Sequence, residues 1–154
     1  LGEFRERVIK LLTKEQVVEP GIYHEIAKAL EDKRSKKMVI NGSISHRLTD
    51  KYQKLAEKMG KEVTIISDPD LAGDAGLVVA SNDAADAQDI YVRDRGARLE
   101  KLGIPQEIID AAGKKVCEKC LEKVLEADPD ESINYKKVTL AEHFWGEKCS
   151  ACKR

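Results

Sequence analysis

All four cysteines of this 154-residue chain fall in its last quarter, as Cys117-Glu118-Lys119-Cys120 and Cys149-Ser150-Ala151-Cys152. Two CxxC pairs with no cysteine left over are the pattern of a tetrahedral four-thiolate metal site, each pair delivering two sulfurs from one tight turn. The 28 residues between the pairs exceed the common zinc spacing of about 15–20 and leave room for a hairpin or a helix inside the loop. A fold that uses all four sulfurs together must therefore bring two segments about thirty positions apart to one point. Zinc is the expected ion. Iron in a rubredoxin-like site competes on spacing, but the glycine and proline that shape such knuckles are absent after Cys120 and beside Cys149. Two local or crossed disulfides are a further alternative, and no secretory context argues for them. A thiol redox pair is the third alternative. It wants its CxxC at a helix N-terminus just after a strand, where the helix dipole lowers the thiol pKa.

A chain of this length can bury a core without a metal, so the ion is an addition to a fold. Hydrophobic residues make up 42 % and charged residues 36 %, with 27 basic groups against 28 acidic, as in a near-neutral globular protein. Residues 1–60 carry 13 basic and 9 acidic groups, residues 61–100 carry 4 and 9, and residues 101–154 carry 10 and 10. Such small imbalances do not drive nonspecific nucleic-acid binding, which needs many phosphate contacts at once. No run of 18 apolar residues is present, so no membrane span and a cytoplasmic location are expected. The chain begins Leu1-Gly2-Glu3 without methionine, so the expectation is either a trimmed chain or a missing upstream part.

Along the chain, residues 7–13 are a short apolar run read as a strand. Ile22, Ile26, Ala29 and Leu30 share one face of an amphipathic helix. Met38-Val39-Ile40 is a buried strand stopped at Asn41-Gly42. A second helix, capped by Ser43 or Ser45, runs through Leu48, Tyr52, Leu55, Ala56 and Met59 to Gly60. Glu62-Val63-Thr64-Ile65-Ile66 is a β-branched strand, and Gly76-Leu77-Val78-Val79-Ala80, apolar throughout, reads as a strand internal to the sheet. Ile90-Tyr91-Val92 is a candidate short strand. From Pro105 one helix is expected to run through Val116, Leu121, Val124 and Leu125 and to hold the first cysteine pair. Val138-Thr139-Leu140 is expected as a brief strand. The order is a β-α-β-α-β-β mixed plan, and the expected division is an α/β domain over 1–100 with a helical, zinc-stapled extension over 101–154.

The segments Leu1-Gly2-Glu3-Phe4-Arg5-Glu6-Arg7-Val8, Val39-Ile40-Asn41-Gly42 and Gly76-Leu77-Val78-Val79-Ala80 resemble the YueI-like family of small bacterial proteins of unknown function, over roughly residues 1–92. That resemblance implies a chorismate-mutase-like α/β fold with a mixed sheet whose last strand is antiparallel. It implies no activity and no catalytic residue. The cysteine-rich tail is a departure from the family.

The remaining chemistry is sparse. His143 stands six residues before Cys149 as a substitute ligand. His24 and His46, like Ser43, Ser45 and Ser81, have no partner in sequence that would make a nucleophile or a ligand set. Asn41, Gly42 and Ser43 after a parallel strand, with Asp68 and Asp70 at the next strand end, are the candidate site for a small phosphorylated ligand, the runner-up function for an enzyme or sensor. Turn chemistry accounts for the same residues. Phe144 and Trp145 beside the second cysteine pair either buttress the metal or, with Lys148, Lys153 and Arg154, form a contact surface. The leading expectation is a noncatalytic zinc-binding interaction module whose partner is RNA, a ribonucleoprotein or another protein.

Overall fold

The computed structural model describes residues 5–67, 73–85, 87 and 89–153. The chain divides into two compact units, Leu1–Glu19 with Glu25–Val92, and Pro20–His24 with Arg93–Arg154. The expected division lay after residue 100; the units part after Val92, and the second takes in a short segment from far upstream.

The first unit is a mixed α/β structure. Its strands are β1 (Val8–Thr13), β2 (Lys37–Asn41), β3 (Glu62–Ile66) and β4 (Ala75–Ala80). Their order in the sheet is β1-β4-β2-β3, with β2 and β3 parallel and β4 antiparallel to both β1 and β2. The all-apolar β4 lies inside the sheet, and Leu77, Val78, Val79 and Ala80 are all buried. Such a run without alternation is what burial on both faces requires. On one face Val8, Val39, Val78, Ala80 and Ile90 form a cluster. β3 is an edge strand with mostly exposed side chains.

The helices of this unit are α1 (Lys14–Val18), α2 (His24–Glu31, whose first residue counts with the second unit) and α3 (His46–Lys58). In α2 the buried residues are Ile26, Ala29 and Leu30, three of the four placed on its apolar face by spacing. Ser45 is the N-cap position of α3, though its side chain makes no capping bond, and Tyr52 and Ala56 face inward. α1 escaped the periodicity because it is one turn long. Its signal is local: Thr13 accepts from Gln16 N–H while the Gln16 side chain accepts from Thr13 N–H, a capping box. The expected strand at Ile90-Tyr91-Val92 amounts to a single bridge from Tyr91 to Leu11.

Gly76 is required by packing. A Cβ there would come within 2.9 Å of Lys14 Cα and 3.0 Å of Thr13 O, both backbone atoms that cannot step aside. Gly76→Ala is expected to cost about 1–3 kcal/mol, as overpacking does, measured as a lower denaturant midpoint.

In the second unit the expected single helix from Pro105 to Leu125 is three elements. They are α5 (Gln106–Asp110), strand β5 (Lys115–Val116) and α6 (Glu118–Ala127), and α4 (Arg95–Lys101) precedes them. The break follows from Gly113 at φ +84°, a left-handed conformation open to glycine, whose N–H donates to Asn134 O at 2.6 Å. β5 pairs in parallel with β6 (Lys136–Lys137). The strand expected at Val138-Thr139-Leu140 is instead the entry to α7 (Leu140–Phe144). There Thr139 is the N-cap and forms a capping box with Glu142, which commits the next residues to a helical turn. The core of this unit gathers Leu99, Ile104, Ile108, Ile109, Val116, Val124 and Tyr135, together with Cys149 and Ala151. Among the described residues no helix is long and apolar enough to cross a membrane.

Candidate metal centre

Cys117 is the N-cap residue of α6, directly after β5, and Cys120 lies in the helix's first turn. The expectation that one helix from Pro105 holds this pair is thus corrected: the pair stands at a helix N-terminus directly after a strand, the setting that a thiol redox pair wants. Cys149 and Cys152 come from the turn that follows α7. That turn is tied back to β5 by a hydrogen bond from Ser150 N–H to Lys115 O at 3.0 Å.

The four sulfurs lie within 4.8 Å of one another. Cys117 Sγ and Cys152 Sγ are 3.7 Å apart, as are Cys120 Sγ and Cys149 Sγ. None of the four is joined in a disulfide. A Zn–S bond of about 2.3 Å puts tetrahedral sulfurs about 3.8 Å apart, whereas a disulfide needs about 2.05 Å. The donor set and its spacing therefore fit a single tetrahedral ion. Cys149 is buried, Cys117 and Cys120 half-buried, and Cys152 exposed.

Backbone donors point at the cluster. Ala151 N–H and Cys152 N–H both donate to Cys149 Sγ at 3.4 Å. Burial acts to raise the Cys149 thiol, but the backbone N–H groups of Cys152, Cys117 and Ala151 outweigh it and bring it down to about 6. Burial pushes the Cys120 thiol far up, and the neighbouring Cys117 and Cys149 add to the rise. The backbone donors thus favour the thiolate at Cys149, while burial favours the thiol at Cys120.

An open cleft of about 1090 Å³ adjoins the cluster, lined by all four cysteines and by Leu140 and His143 of α7. His143 lines this cleft but is not in the ligand cluster. α7 is fixed to β5 by the ion pair of Lys115 with Glu142. Its apolar residues face outward: Leu140 is 92 % exposed, Phe144 83 % and Trp145 84 %. The two rings meet edge to face, 5.9 Å between centroids. The buttressing reading of Phe144 and Trp145 does not fit such exposure. Lys148 and Lys153 are exposed as well, while Arg154 lies outside the described residues.

The strand-end residues are arranged differently. Asn41 accepts from Ser43 N–H at 2.9 Å and donates to Ala75 O at 3.1 Å. Gly42 N–H donates to Ile66 O at 2.8 Å. The turn uses for itself the donors that a phosphate would need. Asp68 and Asp70 lie outside the described residues.

A second knot of polar side chains was not legible in sequence. His24, Asp128 and Asp130 come together, but Arg98 Nη1 reaches His24 Nε2 at 2.6 Å and Asp128 at 2.9 Å, so a guanidinium already supplies the positive charge. Next to it Arg95 and Glu131 are buried together. Arg95 donates to Glu131 Oε1 at 2.7 Å, Tyr135 OH at 2.7 Å and Ile109 O at 3.2 Å. Burial works against the Arg95 charge, yet Glu131 outweighs it and holds the guanidinium above its ordinary pKa.

Residues 1–91 match the family model described as a protein of unknown function (DUF1694). The chain belongs to that family. It is 32 % identical over 94 residues to the uncharacterized protein YueI of Bacillus subtilis (strain 168), spanning 61 % of this chain and 71 % of YueI. The crystal structure of YueI from Bacillus subtilis superposes with a TM-score of 0.58 at 31 % identity, covering 61 % of this chain and 73 % of YueI. The resemblance carried by the strand segments is borne out, as is the mixed α/β plan. The family match ends at residue 91, so all four cysteines lie beyond it.

Proposed function

We propose that the second unit of this YueI-like chain is a zinc-stapled, noncatalytic interaction module. The observation that carries this is the gathering of Cys117, Cys120, Cys149 and Cys152 Sγ within 4.8 Å of one another, with two pairs 3.7 Å apart. Zinc held by four thiolates has no open position, so it supplies a cross-link between the start of α6 and the last turn of the chain. The module works in the reducing cytoplasm, where thiols stay available. The first unit keeps the chorismate-mutase-like arrangement that its family implies, supported by a strand order of β1-β4-β2-β3 with β4 antiparallel.

The exposed Phe144 and Trp145, beside Lys148 and Lys153, are the contact surface, and RNA or a ribonucleoprotein is the partner class. Aromatic faces stack on unpaired bases and lysines meet the phosphates. The short capped helix and the cysteine turn hold these side chains in place before binding, which lowers the ordering cost.

Titration of a labelled single-stranded RNA by fluorescence anisotropy tests this surface. Trp145→Ala is expected to weaken binding by about 1–3 kcal/mol, while folding stability moves by less than about 0.5 kcal/mol, as for other exposed sites. Trp145 is the single tryptophan of the chain, so its emission is expected to be red-shifted and open to quenchers. A blue-shifted, protected emission, or an unchanged RNA affinity in the variant, would remove the surface.

A further inference from the structure

We propose that these four cysteines are also a peroxide-sensitive oxidation site, in which oxidation joins Cys117 to Cys152 and Cys120 to Cys149 and expels the ion; this rests on the four-thiolate zinc reading. Two observations carry it. The first is pairing: the sulfurs 3.7 Å apart each join a residue of the α6 start to a residue of the C-terminal turn. Closing either contact to a disulfide needs about 1.7 Å of movement. The second is access: Cys152 is exposed, Cys149 is buried, and the open cleft reaches all four.

The oxidant is hydrogen peroxide. The Cys152 thiolate attacks the O–O bond, takes one oxygen as sulfenic acid, and hydroxide leaves. The Cys117 thiolate then attacks that sulfur, the S–S bond forms, and a second hydroxide leaves. Two protons from solvent convert both hydroxides to water. The cysteine pair has lost two electrons and the peroxide has gained them. A second peroxide does the same for Cys120 and Cys149. Disulfide sulfur carries no thiolate charge, so the ligands that hold zinc are gone.

Exposure brings Cys152 into reaction first, so the outer pair closes before the inner one. The nested pairing is one of three connectivities open to four cysteines.

The zinc-loaded full chain treated with hydrogen peroxide tests this. Released zinc is read with a chromophoric chelator and the disulfides by non-reducing peptide mapping. Complete release is expected after about two equivalents of peroxide, as the two-electron step per pair requires. The Cys117–Cys152 peptide is expected before the Cys120–Cys149 peptide, and dithiothreitol with added zinc restores the starting state. Zinc retained with all thiols intact, or disulfides formed within each CxxC turn, would overturn the proposal. Protein that carries no zinc before peroxide is added would overturn the four-thiolate reading by itself, and the peptide map would still decide the pairing.

Discussion

Glu131→Ala is expected to destabilise the second unit by about 3–5 kcal/mol, the cost of leaving one member of a buried ion pair without its partner. Glu131 is 0 % exposed and Arg95 3 %. Both carboxylate oxygens are engaged, Oε1 by Arg95 and by Asn134 Nδ2 at 3.3 Å, and Oε2 by Arg98 at 3.3 Å. Removing the carboxylate leaves a guanidinium in a site that water does not reach, and it strips Arg98 and Asn134 of an acceptor. Glu131→Gln keeps part of the hydrogen bonding and loses the charge, so it is expected to fall between wild type and alanine. Amide exchange of α4 and α6 against denaturant measures the loss. A change below about 1 kcal/mol for alanine would mean that Arg95 finds solvent or another carboxylate, and that the network is not what ties this unit together.

Chelation is expected to have the second large effect. Structural zinc contributes an apparent 10–16 kcal/mol, on the order of values for zinc-finger peptides at neutral pH. Here Cys149 and Ala151 are the parts of the last turn that enter the second unit's core, and a small unit of this kind is near the size limit for unaided folding. Removal of the ion with a strong chelator should therefore release amide protection in Arg93–Arg154 and Pro20–His24, the segments of the second unit. β1 to β4 should keep theirs. Cys149→Ser acts in the same direction. Uniform loss of protection across residues 39–66 would show that the first unit depends on the ion.

The first unit was legible because its signals are local. An unbroken apolar run placed β4 inside the sheet, and spacings of three and four set the inward faces of α2 and α3. The second unit was harder for a physical reason: apolar residues from Ile108 to Leu125 keep helical spacing across a break that only Gly113 marks. The capping box of Thr139 and Glu142 was in the sequence too, but β-branched neighbours hid it behind a strand reading. Charged residues read by default as solvated, and nothing near Arg95 or Glu131 in sequence announces that they are buried together. The inclusion of Pro20–His24 rests on Asn134, which donates to Ile22 O at 2.9 Å and accepts from Ile22 N–H at 2.5 Å, a contact 112 residues long that no periodicity can report. The cysteine set was readable from spacing alone. Its place at a helix start after a strand was not, because that depended on the break at Gly113.

Elemental analysis of protein purified without added metal, under reducing conditions, tests the four-thiolate centre most directly. About one zinc per chain is expected, lost when Cys149 is replaced by serine, since four thiolates complete the coordination of one ion. Metal-free protein with four alkylatable thiols, or one iron per chain in place of zinc, would contradict it.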